Sequence, residues 1–75
     1  MQELTINCLW DNEASVWVAS SEDVPGLSIE AETTELMNER LQTVIPELLS
    51  LNNSLKKNEK IPYHIHSDMD CVAYA

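Results

Sequence analysis

His64-Ile65-His66-Ser67-Asp68 sets two imidazoles and a carboxylate at positions i, i+2 and i+4. In an extended strand those positions share one face, so they could converge on a zinc or nickel ion. A side chain from a neighbouring strand, such as Asn7, would be needed to hold the ion. The commoner use of such a face is a solvated edge strand, and we assign no metal ligand. Cys8 falls beside Ile6 on an apolar face and reads as a small buried residue. Cys71 has Asp68 and Asp70 close by, and neighbouring carboxylates do not activate a thiol as a nucleophile. The pairs Asp11/Glu13 and Glu22/Asp23 sit where the chain turns, and carboxylates are ordinary turn residues. A single glycine excludes a glycine-rich phosphate loop. We assign no catalytic residue and no cofactor.

The elements that would carry these residues follow from periodicity. Residues 3–10 alternate, with Leu4, Ile6, Cys8 and Trp10 on one face and Glu3, Thr5, Asn7 and Leu9 on the other. After Asp11-Asn12-Glu13-Ala14, a second strand runs from Ser15 to Ser20, so the two form a hairpin. Pro25-Gly26 predicts a type II turn, with glycine accepting a positive φ. Leu27–Glu32 is a third strand with an acidic outer side. The period then changes. Thr33 or Thr34 can cap a helix, Glu35 suits its first turn, and Leu36, Met37, Leu41, Val44, Ile45, Leu48 and Leu49 form an apolar stripe. Pro46 falls on the polar side and allows either one bent helix to about Leu51 or two helices. Asn52–Lys60 is a polar loop with three of the four bases. Residues 61–70 alternate again as a fourth strand, placed at an edge because Pro62 cannot donate to a ladder.

The expected fold is therefore α+β: a three-stranded antiparallel meander, one helix and a fourth strand (β-β-β-α-β), in two layers. Leu4, Ile6, Leu27, Ile29, Tyr63 and Ile65 should face the helix, and the other sheet face should lie open. Strand two is apolar on both sides, Val16/Val18 against Trp17/Ala19. With the valines turned to the helix, Trp17 stands on the open face beside Leu9 as an interaction surface.

Seventy-five residues make one domain, 1–75, with a thin core. Thirteen acids oppose four bases, a net charge of −9, and residues 1–39 hold nine carboxylates with no Lys or Arg. That charge argues against direct nucleic-acid or anionic-membrane binding and favours a basic protein partner. No apolar run reaches the length of a membrane span, no signal peptide is evident, and two cysteines make no disulfide framework. A cytoplasmic protein is expected.

Two stretches carry a family resemblance. The first is Leu9-Trp10-Asp11-Asn12-Glu13-Ala14-Ser15-Val16-Trp17-Val18-Ala19 followed by Val24-Pro25-Gly26-Leu27. The second is Glu30-Ala31-Glu32-Thr33-Thr34-Glu35-Leu36 leading into Val44-Ile45-Pro46-Glu47-Leu48-Leu49. In this order, across about residues 4–52, the chain resembles the HicB-like antitoxin family, more closely its stand-alone branch of unknown function. The resemblance implies a partial RNase H-like fold, a homo-oligomer (dimer or higher) and, as partner, a small basic RNase toxin. In such antitoxins a separate C-terminal segment binds operator DNA; none follows strand four here, so operator binding is not expected. The RNase H likeness also raises a two-metal nuclease, which needs carboxylates clustered around metals about 4 Å apart; the turn acids above do not suit it.

The reading is a small acidic protein-binding module. Its expected partner-binding residues are Trp17, Leu9, Asp11, Glu13, Glu22 and Asp23, with Glu30 and Glu32 adding to the acidic rims. A metal-binding protein or metal-dependent enzyme built on His64/His66, and a purely homo-oligomeric structural protein, are the alternatives.

Overall fold

The structure is a computed structural model that describes residues 3–51 and 59–75; most of the polar loop expected at 52–60 lies outside them. Five elements follow in order: β1 (Leu4–Asp11), β2 (Val16–Ser20), β3 (Ile29–Ala31), α1 (Thr34–Leu51) and β4 (Tyr63–Asp68). They form an α+β fold of one helix and a four-stranded sheet in the order β3-β2-β1-β4.

A plain antiparallel meander does not describe this sheet. β1–β2 and β2–β3 are antiparallel, but β4 lies parallel to β1 at the far edge. Two antiparallel steps separate β3 from β1, so β3 and β4 run the same way. Parallel strands need a long crossover, and α1 supplies it. Strand four takes the edge position its proline predicts.

Both tight turns have identifiable chemistry. The Val24 carbonyl accepts the Leu27 N–H at 3.1 Å, and Gly26 between them has φ 87°, the type II turn expected of Pro25-Gly26. In the β1–β2 hairpin the Asp11 carboxylate accepts the N–H groups of Glu13 (3.0 Å) and Ala14 (3.3 Å), while its carbonyl accepts that of Ser15 (2.8 Å). Ser15 closes the loop at φ 56°, a left-handed conformation for a residue with a Cβ.

Thr33 is the helix cap: its Oγ1 accepts the Leu36 N–H at 3.1 Å. α1 continues through Pro46 as one element. Met37, Leu41, Ile45 and Leu49 recur every four residues, so they form a single buried ridge. That ridge meets Ile6, Cys8, Ala19 and Ala31 from the sheet, with Val24 and Leu27 closing one end. Ala19 and Ala31 are small, so the helix approaches β2 and β3 most closely. On the β1–β4 side the larger Leu4, Ile61, Tyr63 and Ile65 fill the gap and stay partly exposed. Pro46 is half-buried and lines this side with Ile61 and Tyr63, rather than standing wholly in water as its place on the polar stripe suggests.

Candidate functional site

One helix covers one sheet face, and among the described residues no second layer lies over the opposite face. Register fixes what stands there. Leu9 pairs with Val18, Val18 with Glu30, and Leu9 with Asp68. Directly opposed residues share a face, so one row across the sheet reads Glu30–Val18–Leu9–Asp68, an apolar centre between two carboxylates. Asp11 and Val16 pair in the next row. Leu9 is 56% exposed, while Val16 and Val18 are half-buried. Toward the other end the face turns polar: Ser20, Asn7 and His66 in one row, Thr5 and His64 in another.

Trp17 is not on this face. It pairs with Trp10 and Ala31, and both are core-side residues. The Trp10 and Trp17 rings meet edge to face with centroids 5.4 Å apart, and Trp17 packs partly buried against the core. The valines, not the tryptophan, join Leu9. A sequence signal for this existed in the loop: four residues between Asp11 and Val16 bring Trp17 opposite Trp10, and Trp10 alternates with Ile6 and Cys8.

The expected acidic residues are split between the two ends of the β1–β2 hairpin. Asp11 holds the turn, with Glu13 exposed beside it. At the opposite end Asp23 accepts the Thr5 N–H at 2.8 Å, and Ser21 Oγ donates to the Thr5 carbonyl at 2.5 Å. These two side chains replace the ladder partners that β1 lacks once β2 has ended at Ser20. Asp23 is thus a structural acceptor, and Glu22 is the exposed acid of that pair.

His64 and His66 lie with ring centroids 4.5 Å apart, and His66 stands opposite Asn7 as the ligand pattern requires. Among the described residues, however, no three His, Cys, Asp or Glu side chains gather to hold a metal ion. Both cysteines are free: Cys8 is buried in the core and Cys71 exposed. Burial pushes the Cys8 thiol pKa up, so it stays protonated and unreactive.

Between α1 and β4 lies an open, mainly polar cleft of about 540 Å³, lined by Thr34, Glu35, Asn38, Gln42, Tyr63 and His64, among others. Tyr63 anchors it, its hydroxyl donating to Asn38 Oδ1 at 2.5 Å. Burial raises the Tyr63 pKa, opposed by a hydrogen bond with Gln42. Across the molecule the Arg40 guanidinium donates to the Glu30 carbonyl and ties α1 to β3.

Residues 3–73 match the family model described as a domain of unknown function, DUF1902. The chain belongs to the DUF1902 family. A solved structure agrees: the hypothetical protein TTHA1013 from the extremely thermophilic bacterium Thermus thermophilus is 36% identical. The match covers 99% of this DUF1902 chain and 100% of that one, with a TM-score of 0.73. No curated protein matches the sequence. No helix among the described residues of this DUF1902 protein is long and apolar enough to cross a membrane.

Proposed function

We propose that this DUF1902 protein is a small acidic binding module without catalytic activity, which self-associates and docks a basic protein on its open sheet face. The observation that carries the reading is the row Glu30–Val18–Leu9–Asp68, in which exposed apolar surface lies between carboxylates. An apolar centre with a charged rim is the usual anatomy of a protein interface, and the rim charges set partner sign and encounter rate. Asp11 and the exposed Glu13 extend the acidic rim at one end, and Glu22 at the other. A net charge of −9 favours a basic partner from a distance.

The finer reading is a stand-alone HicB-like antitoxin domain acting in the cytoplasm on a small basic RNase toxin. Support comes from the order and spacing of the sequence motifs, together with the β-β-β-α-β order of the elements. The test is co-expression and calorimetric titration with a short basic protein encoded beside the gene. Tight binding that weakens with salt, relieves toxicity and is lost in Leu9→Asp is the expected result. Absence of binding at low salt would sink the antitoxin reading. Equal binding by Leu9→Asp would move the partner off the open face.

A further inference from the structure

We propose that residues 69–75 form a strand that pairs with the exposed edge of β4 in a second copy of the chain, joining two sheets into one. The inference deepens the self-association part of the function proposed above and rests on it.

The shape of the molecule leads there. It measures 53 × 20 × 19 Å. At 1.5 Å per residue α1 spans ~27 Å, and β1 about the same, so neither accounts for the long axis. The remaining ~26 Å is close to what seven residues span at ~3.3 Å each when extended. Residues 69–75 run on from β4 beyond the sheet, and all seven are exposed. Among the described residues their backbone has no hydrogen-bond partner in another element, and the hydrogen bond within the segment runs from Cys71 Sγ to the Met69 carbonyl at 3.7 Å.

The composition is wrong for a solvated tail. Of Met69, Asp70, Cys71, Val72, Ala73, Tyr74 and Ala75, only Asp70 is charged. Val72 is 78% and Tyr74 93% exposed. An apolar segment with an unpaired backbone is a strand lacking a neighbour.

A matching edge exists in the same chain. β4 closes the sheet, so among the described residues one side of its six residues has no neighbouring strand for its N–H and C=O groups. The other edge strand, β3, has three residues, with Glu30 at its centre and Glu32 just beyond it. Length decides between them: β4 with its extension offers thirteen residues for pairing, β3 only three. Antiparallel pairing about a two-fold axis sets β4 of each copy beside the extension of the other, an isologous contact. Thirteen residues paired with their copy make about a dozen hydrogen bonds, within the ~10 ± 5 of a typical interface.

The experiment is solution mass by light scattering on the full chain, on a version ending at Asp68 and on Val72→Pro, with circular dichroism to check the fold. The removed residues are all exposed and make no hydrogen bond to another element among the described residues, so the shortened version should fold. A full chain at twice the monomer mass, with both variants monomeric and native in their circular dichroism, is the expected result. Slow amide exchange along 70–75 in the dimer would accompany it. A dimer that survives shortening would overturn the strand pairing and leave self-association standing on another surface. A dimer lost on shortening but kept in Val72→Pro, with fast exchange along 70–75, would mean docking through side chains and also overturn it. A monomeric full chain would overturn both readings.

Discussion

Trp10 and Trp17 face each other across β1 and β2, edge to face, on the side of the sheet that carries the helix. The contact makes Trp17 a fold residue as well as a partly exposed one. Truncating a fully buried Trp costs ~3–5 kcal/mol, so Trp17→Ala, at a half-buried site, should destabilise by about 2 kcal/mol. Urea unfolding followed by fluorescence reads this directly. A change below about 0.5 kcal/mol would mean that the ring pair contributes little.

Leu9 tests the opposite face. Leu9→Asp removes an exposed side chain but sets a carboxylate opposite Asp68, so stability should fall by about 1 kcal/mol. The substitution should also abolish capture of a basic partner. A large drop in stability would show that the open face is more structural than its exposure implies.

Asp23 and Ser21 stand in for the strand that β1 lacks at Thr5. Removing the acceptor leaves the Thr5 N–H without its partner. Asp23→Ala should cost about 1–2 kcal/mol, measured as a shift in the denaturation midpoint with unchanged slope. Glu22→Ala, one residue away but exposed, should have little effect.

Two left-handed residues predict opposite responses. Gly26 has φ 87°, so Gly26→Ala should destabilise by about 1–2 kcal/mol although Leu48 leaves room for a Cβ. Ser15 carries a steric penalty at φ 56°, and Ser15→Gly should stabilise by up to about 1 kcal/mol. Thermal melts of both variants suffice, and a stabilised Gly26→Ala would contradict the turn geometry.

The thiols should separate kinetically. Cys71 is exposed and should react with a thiol reagent at once, while Cys8 should react only on unfolding. Linkage adds a pH effect. Cys8 is held neutral in the fold, so its contribution is complete below the ordinary thiol value of 9.0 and declines as pH rises above it, where the unfolded thiol ionises first. Cys8→Ala should flatten the alkaline side of the stability profile relative to the native chain.

Much of the fold was legible locally. Alternation in residues 3–10 and 61–68, the Pro25-Gly26 turn, the Thr33 cap and the 37–41–45–49 ridge are all properties of short windows, where backbone period and steric preference act alone. Thr33 over Thr34, and one helix through Pro46, were open only at the level of a residue or a turn.

The site was less legible, because strand two is apolar on both faces. Val16/Val18 and Trp17/Ala19 satisfy alternation equally well, and only pairing with β1 puts Trp17 under the helix and the valines beside Leu9. The same holds for Asp23, whose acceptor role depends on Thr5, eighteen residues away in sequence.

By itself the sequence determined the element types, their order, the acidic charge and the absence of a glycine-rich loop, since these depend on composition and near-neighbour geometry. Tertiary structure decided which strand neighbours which, which face of β2 is covered and that β4 lies parallel to β1. Those outcomes depend on register between segments up to about sixty residues apart, and a shift of one residue exchanges the two faces of a strand.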